Sequence, residues 1–205
     1  MNAAPRRAAV ILAGGRATRL GGADKAEVEI GGRMLIDIVV LAVSGCDPVI
    51  VAGPEHLART GVRVVREDPP FGGPVAAIAA AVAELPADVE ETWLLACDLP
   101  NAAGVVDLLS RAELPADADA VVLRDAQGRA QPLAGRYRAA ALRRAVAALD
   151  EVDGSSMRRL SRGLRVHEID DPAGASADLD TWDDIAAFRG DSPAEDAGRW
   201  RRETA

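Results

Sequence analysis

Five short runs, 8–13, 48–52, 62–66, 93–97 and 120–123, are apolar at nearly every position, and the segments between them place their apolar residues at helical spacing. A strand with one wet face alternates apolar and polar residues. A continuously apolar run suits a strand covered on both faces, as in a parallel sheet held between helices. Helices are expected at 34–43, 74–85, 103–112 and 139–149, with Pro74 suited to a first helical turn. A late strand at 165–169 and a closing helix at 181–188 complete the pattern. The order β-α-β-α-β predicts an α/β fold with three layers, α/β/α, around a mostly parallel, Rossmann-like sheet. The 205 residues suffice for one such domain, taken as 1–189. The polar, aperiodic GDSPAEDAGRWRRETA at 190–205 reads as a flexible tail.

With 49% apolar but only 3% aromatic residues, the core must be built from Ala, Val, Leu and Ile. A net charge of -8 argues against a binder of nucleic acid or of an anionic membrane, since both need a basic field. Any phosphate recognition must then come from local basic residues. Cys46 and Cys97 sit in or beside apolar runs without CxxC spacing and read as small hydrophobes. His56 and His167 read as incidental surface or strand-edge residues. The first nine residues lack an apolar signal region and no stretch approaches a membrane span, so a cytoplasmic protein is expected.

Ligands of an open parallel sheet gather at the carboxyl ends of its strands, so the residues after each run matter most. The first run empties into VILAGGRATRLGGADK at 10–25. Glycines let backbone N–H groups approach an anion, and Arg19 and Lys25 add fixed charge. The stretch contains neither GxxxxGK[ST] nor GxGxxG. On glycines alone, a tight strand-to-helix turn explains it equally well.

Leu12-Ala13-Gly14-Gly15, Arg19-Leu20-Gly21-Gly22 and Asp24-Lys25 together resemble the signature loop of the molybdenum cofactor guanylyltransferases, nucleotidyltransferases with a glycosyltransferase-A-like sheet. The resemblance continues, in order, through Glu67-Asp68 with Gly72-Gly73-Pro74, Ala96-Cys97-Asp98-Leu99-Pro100, Gln131-Pro132-Leu133, and Asp178-Leu179-Asp180-Thr181 with Asp184. It implies Mg2+-dependent transfer of GMP from GTP to the terminal phosphate of molybdopterin, with release of pyrophosphate. It assigns the nucleotide to Leu12, Ala13, Gly14 and Gly15, the phosphates to Lys25 with Arg19, and the base or ribose to Asp68. Mg2+ falls to Asp98, with Asp180 as second ligand and Asp178 as its alternative. The attacking phosphate is already an anion, so neither covalent nucleophile nor general base is needed. The protein partners implied are molybdoenzymes or other proteins of cofactor biosynthesis.

Plainer roles stand beside these. Asp98 suits the cap of the next helix or a turn before Pro100, Asp180 suits the cap of the closing helix, and Asp24 suits a solvated turn. Gln131-Pro132-Leu133 is expected on a later strand facing the acceptor, with Pro132 at a sheet edge. Arg158 and Arg159 suit either a patch for the pterin phosphate or a solvated helix face. Ala77 stands where the family usually carries glycine and is expected to add a methyl near the base. Ala17 stands where serine is frequent. The Leu-Ala-Gly-Gly form favours GTP over CTP. Cytidylyl or other nucleotidyl transfer to molybdopterin or to a sugar or other small-molecule phosphate, or a nucleotide-binding partner of a molybdoenzyme without turnover, are the alternatives in function.

Overall fold

The computed structural model describes residues 5–14, 25–179 and 181–189. Gly15, Ala17, Arg19, Asp24, Asp180 and the expected tail at 190–205 therefore lie outside the described residues.

Among the described residues nine strands form: β1 (Arg7–Leu12), β2 (Glu29–Ile30), β3 (Arg33–Met34), β4 (Val49–Ala52), β5 (Val62–Val65), β6 (Glu91–Ala96), β7 (Ala120–Arg124), β8 (Ala130–Arg138) and β9 (Val166–Asp170). Six α-helices accompany them among the described residues: α1 (Leu35–Ala42), α2 (Pro74–Ala83), α3 (Ala102–Arg111), α4 (Ala139–Ala147), α5 (Met157–Ser161) and α6 (Trp182–Arg189). Strands β2 and β3 make a small hairpin, and the other seven form one sheet in the order β5-β4-β1-β6-β8-β7-β9. All seven run parallel except β8.

Alternation along β1 shows why its run had to be apolar throughout. Ala9 and Ile11, with Ala13 beyond the strand, join one core layer, while Ala8, Val10 and Leu12 join the other. The first layer is closed by Ile36 and Val39 of α1 and Val105 and Leu109 of α3. The second is closed by Val75, Ile78 and Ala81 of α2 and Leu142 and Ala145 of α4. Alanines at these helix positions let the helices sit close to the sheet, which is how a core so poor in aromatic rings fills its volume.

The third sheet neighbour departs from the sequence expectation. Gln131-Pro132-Leu133 does not lie at an edge: β8 runs antiparallel between β6 and β7. Proline is accommodated there by a bulge, since Val122 pairs with Gly135 but Leu123 pairs with Gln131. The Pro132 carbonyl accepts a hydrogen bond from the buried Tyr137 hydroxyl at 2.7 Å. Gly135 is required by contact, because a Cβ there would meet Val122 Cγ1 and Tyr137 Cε2 at 2.8 Å. Among the described residues no helix is long and apolar enough to cross a membrane.

Candidate active site

Strands β5, β4, β1 and β6 finish level with one another: Leu12 pairs with Ala52 on one side and Ala96 on the other, and Ala52 pairs with Val65. The backbone stays tied one step further. Ala13 N–H donates to the Ala52 carbonyl at 2.9 Å, and Cys97 N–H donates to the Leu12 carbonyl at 3.0 Å. Leu12 and Ala13 are consequently buried, and Gly14 is exposed. Among the described residues, a Cβ at Gly14 would meet only the Ala52 carbonyl oxygen at 3.9 Å, an ordinary contact. Among the described residues, nothing requires glycine at this position by contact.

Lys25 re-enters this edge at the start of a short 3-10 turn, Lys25–Glu27, that leads into the β2–β3 hairpin. Its Nζ lies 3.1 Å from Asp98 Oδ2, and both side chains are largely shielded, at 21% and 15% exposure. Asp98 follows β6 by two residues. The capping role left open for it belongs instead to Asn101, whose Oδ1 accepts from Gly104 N–H at 3.2 Å at the start of α3. Asp98 is therefore not the cap of α3.

The chain's last segment returns to the same aspartate. Leu179 N–H donates to the Asp98 carbonyl at 3.2 Å. Leu179 and Ile185 pack with Val28, Ile30 and Leu35, so the hairpin after Lys25 and the start of α6 share one apolar cluster. Thr181 caps α6: its Oγ1 accepts from Asp184 N–H at 3.1 Å, and Asp184 Oδ2 accepts from Thr181 N–H at 2.8 Å. The cap role considered for Asp180 thus falls to Thr181. Asp178 is exposed.

A buried carboxylate positions this segment. Asp171, 2% exposed, accepts from Ala175 N–H at 2.9 Å and from both Ser176 N–H and Ser176 Oγ–H at 2.7 Å. Burial alone would raise its pKa, but the Ser176, Ala175 and Gly174 donors outweigh it and hold the carboxyl below its ordinary 3.8. A depressed folded-state pKa means that the stabilisation is complete above the unfolded value and is lost as pH falls through the folded one. Asp171→Asn is expected to cost about 2 kcal/mol near neutrality and to flatten the acid limb below pH 4, measured as denaturant midpoints across pH.

Asp68 sits on the same edge, exposed, in the loop from β5 to α2, at a cis peptide bond with Pro69. Ala77 is 4% exposed and belongs to the core between α2 and the sheet. Gln131 Nε2 donates to Asp125 at 2.8 Å and so braces the β7–β8 turn. Arg158 and Arg159 are exposed on α5, and Arg159 lies 3.4 Å from Asp150, the arrangement of a solvated helix face. His56 and His167 are exposed.

The model of the MobA-like NTP transferase domain matches residues 9–169, from β1 into β9 and across Lys25, Asp68 and Asp98. The chain belongs to that family. It is 38% identical over 146 residues to a protein of Synechococcus elongatus named "Probable molybdenum cofactor guanylyltransferase", covering 65% of this chain and 72% of that one. A "Molybdenum cofactor guanylyltransferase" of Nitrobacter hamburgensis is 35% identical over 136 residues, covering 62% and 57%. The structure of molybdopterin-guanine dinucleotide biosynthesis protein A from Archaeoglobus fulgidus superimposes with a TM-score of 0.66 at 20% identity, covering 89% and 97%, a likeness of fold.

Nucleotidyltransferases of this kind generally use a divalent metal, and the donor set here fits one. Among the described residues no three His, Cys, Asp or Glu side chains come together to cage an ion. Mg2+ needs no cage: it takes one or two carboxylates and completes its shell with phosphate oxygens and water. Asp98, shielded and paired with the Lys25 ammonium, is a donor of that type.

Proposed function

We propose that this chain transfers GMP from GTP to the terminal phosphate of molybdopterin. An oxygen of the acceptor phosphate bonds to the α-phosphorus of GTP, the bond from that phosphorus to the bridging oxygen breaks, and pyrophosphate leaves with the electron pair. The observation that carries the proposal is the Lys25–Asp98 pair, 3.1 Å apart at the carboxyl edge, in a chain of the MobA-like NTP transferase family. The names of its relatives supply the substrate class.

In this reading the backbone of Leu12, Ala13, Gly14 and Gly15 receives the nucleotide, Asp68 lies beside base or ribose, and Lys25 with Arg19 holds the phosphates. Asp98 would hold Mg2+, with Asp180 as second ligand, and the ion would supply charge neutralisation around the α-phosphorus. Lys25 then stabilises charge that builds on the departing oxygens, a preorganised cation in a shielded site. The transferase domain is residues 1–189. GTP as donor places the reaction in the cytoplasm, and molybdoenzymes or other cofactor-biosynthesis proteins are the partners that would receive the product. The Leu-Ala-Gly-Gly form supports GTP over CTP.

The test is pyrophosphate release with Mg2+ and molybdopterin, GTP and CTP side by side. Release is expected with GTP and acceptor together; release with CTP alone would move the base assignment, and release with neither would remove the proposal. Gly14→Ala gives a finer check. Because a Cβ at Gly14 has room among the described residues, stability should change by less than about 0.5 kcal/mol. Affinity for GTP should fall about tenfold as the methyl blocks close approach, so melting and titration part company.

A further inference from the structure

The amide of Gln131 has two polar ends, and the β7–β8 turn uses one of them. Nε2 donates to Asp125 Oδ2 at 2.8 Å. Asp125 also accepts from Gln127 N–H and Arg129 N–H at 2.9 Å and from Arg129 Nε at 3.0 Å, with its side chain 15% exposed. The Arg129 N–H, first among these donors, holds the carboxyl below its ordinary 3.8. An ionised carboxylate only accepts, so the amide must turn its nitrogen toward Asp125 and its oxygen away. Gln131 is half-buried, and among the described residues no donor reaches its Oε1.

The backbone beneath this side chain is held as well. Gln131 pairs with Leu123 at the bulge, and the carbonyl of the next residue, Pro132, accepts from the buried Tyr137 hydroxyl at 2.7 Å. Because β8 runs antiparallel to β6, it begins where β6 ends. The last pair between the two strands is Leu95 with Ala134, and Asp98 and Gln131 each lie three residues beyond it, on the same carboxyl edge. In the sheet order, Asp98 follows β6, with Asp68 after β5 on one flank and Gln131 on β8 on the other.

We propose that Gln131, its amide turned by Asp125, is a specificity-determining residue for the acceptor, with Oε1 accepting a hydrogen bond from the exocyclic amino group of a pterin. The proposal rests on the guanylyl-transfer reading, in which the nucleotide lies over Leu12 to Gly15 and Asp68, so that the β8 flank of Asp98 is left to the acceptor. The pyrimidine ring of a pterin carries that amino group, and a fixed amide oxygen is its matching partner. The orientation is set before the ligand arrives, so little freedom is lost on binding. An acceptor without the amino group leaves Oε1 unpaired in the complex and is disfavoured.

Calorimetric titration of wild type, Gln131→Met and Asp125→Asn with GTP, hydroxymethylpterin phosphate and the same phosphate lacking the exocyclic amino group tests this, each with Mg2+. Wild type should bind the amino compound about tenfold more tightly than the other. Gln131→Met, similar in length but without Oε1, should bind the two equally, with GTP affinity unchanged. Asp125→Asn, whose own amide lets Gln131 turn either way, should narrow the preference. Comparing two ligands on one variant cancels any loss of stability that the variant suffers. A preference absent from wild type, or surviving in Gln131→Met, in a protein that still transfers GMP to molybdopterin overturns the assignment and leaves the transferase reading intact. Loss of GTP affinity in Gln131→Met places the residue with the donor and overturns the assignment too. A wild type that binds neither pterin compound and releases no pyrophosphate overturns the reading beneath it.

Discussion

Asp98→Asn should lower GMP transfer about a thousandfold while leaving the thermal midpoint within a few degrees of wild type. The size follows from the proposed role: removing the carboxylate would remove both the anchor for Mg2+ and a charged partner of Lys25. The small stability effect follows from what Asp98 does not do. The cap of α3 is Asn101, and the tie to the C-terminal segment uses the Asp98 carbonyl, which any residue supplies. Steady-state pyrophosphate release and melting curves on the same preparation measure the two effects. A loss of activity that tracks a loss of folded protein would contradict the assignment.

Lys25→Met carries the second large effect, with two opposite signs. Transfer should fall a few hundredfold, about the loss seen when a single preorganised donor to developing charge is removed. Binding of Mn2+ or Mg2+ without nucleotide should become tighter, because the ammonium that occupies Asp98 Oδ2 at 3.1 Å is gone. A divalent ion attracts the carboxylate twice as strongly as an ammonium at the same distance and screening, so metal already competes. In the proposed site a triphosphate would tip that competition by giving Lys25 a more highly charged partner. Tenfold tighter metal binding with weaker catalysis would mark this exchange of partners. A variant that loses metal affinity along with activity would show that Lys25 builds the metal site rather than contesting it.

The two-faced burial of the sheet was legible because it leaves a direct trace: strands covered on both sides must be apolar at consecutive positions, as in β1, β4 and β6. Strand β8 left no such trace. Its sequence AQPLAGRYR carries proline, glycine and two arginines, and each has a tertiary reason: the bulge takes Pro132, Val122 and Tyr137 crowd Gly135, and Arg136 and Arg138 donate to the Ala112 and Ala118 carbonyls. Local pattern cannot report a contact made by a strand elsewhere in the chain. The same limit applies to the site. Lys25 and Asp98 could be chosen by residue type and position after a strand, but their pairing spans 73 residues and depends on register.

The caps show where a signal was present and competed with another. Asn101 precedes α3 and Thr181 stands three residues before Asp184, both recognisable start signals, yet neighbouring aspartates offered the same chemistry. The geometry gives the caps to Asn101 and Thr181. Asp171 was hidden, because its three donors come from a turn whose shape it helps to define.

The central claim is that the carboxyl edge around Lys25 and Asp98 joins a nucleotidyl group to an acceptor phosphate. GTP radiolabelled separately at its α- and γ-phosphorus, incubated with the protein, Mg2+ and molybdopterin, tests it most directly. The account predicts α-label in the acceptor and γ-label in pyrophosphate. Label from the γ-position in the acceptor, or no label there from either position, would contradict it.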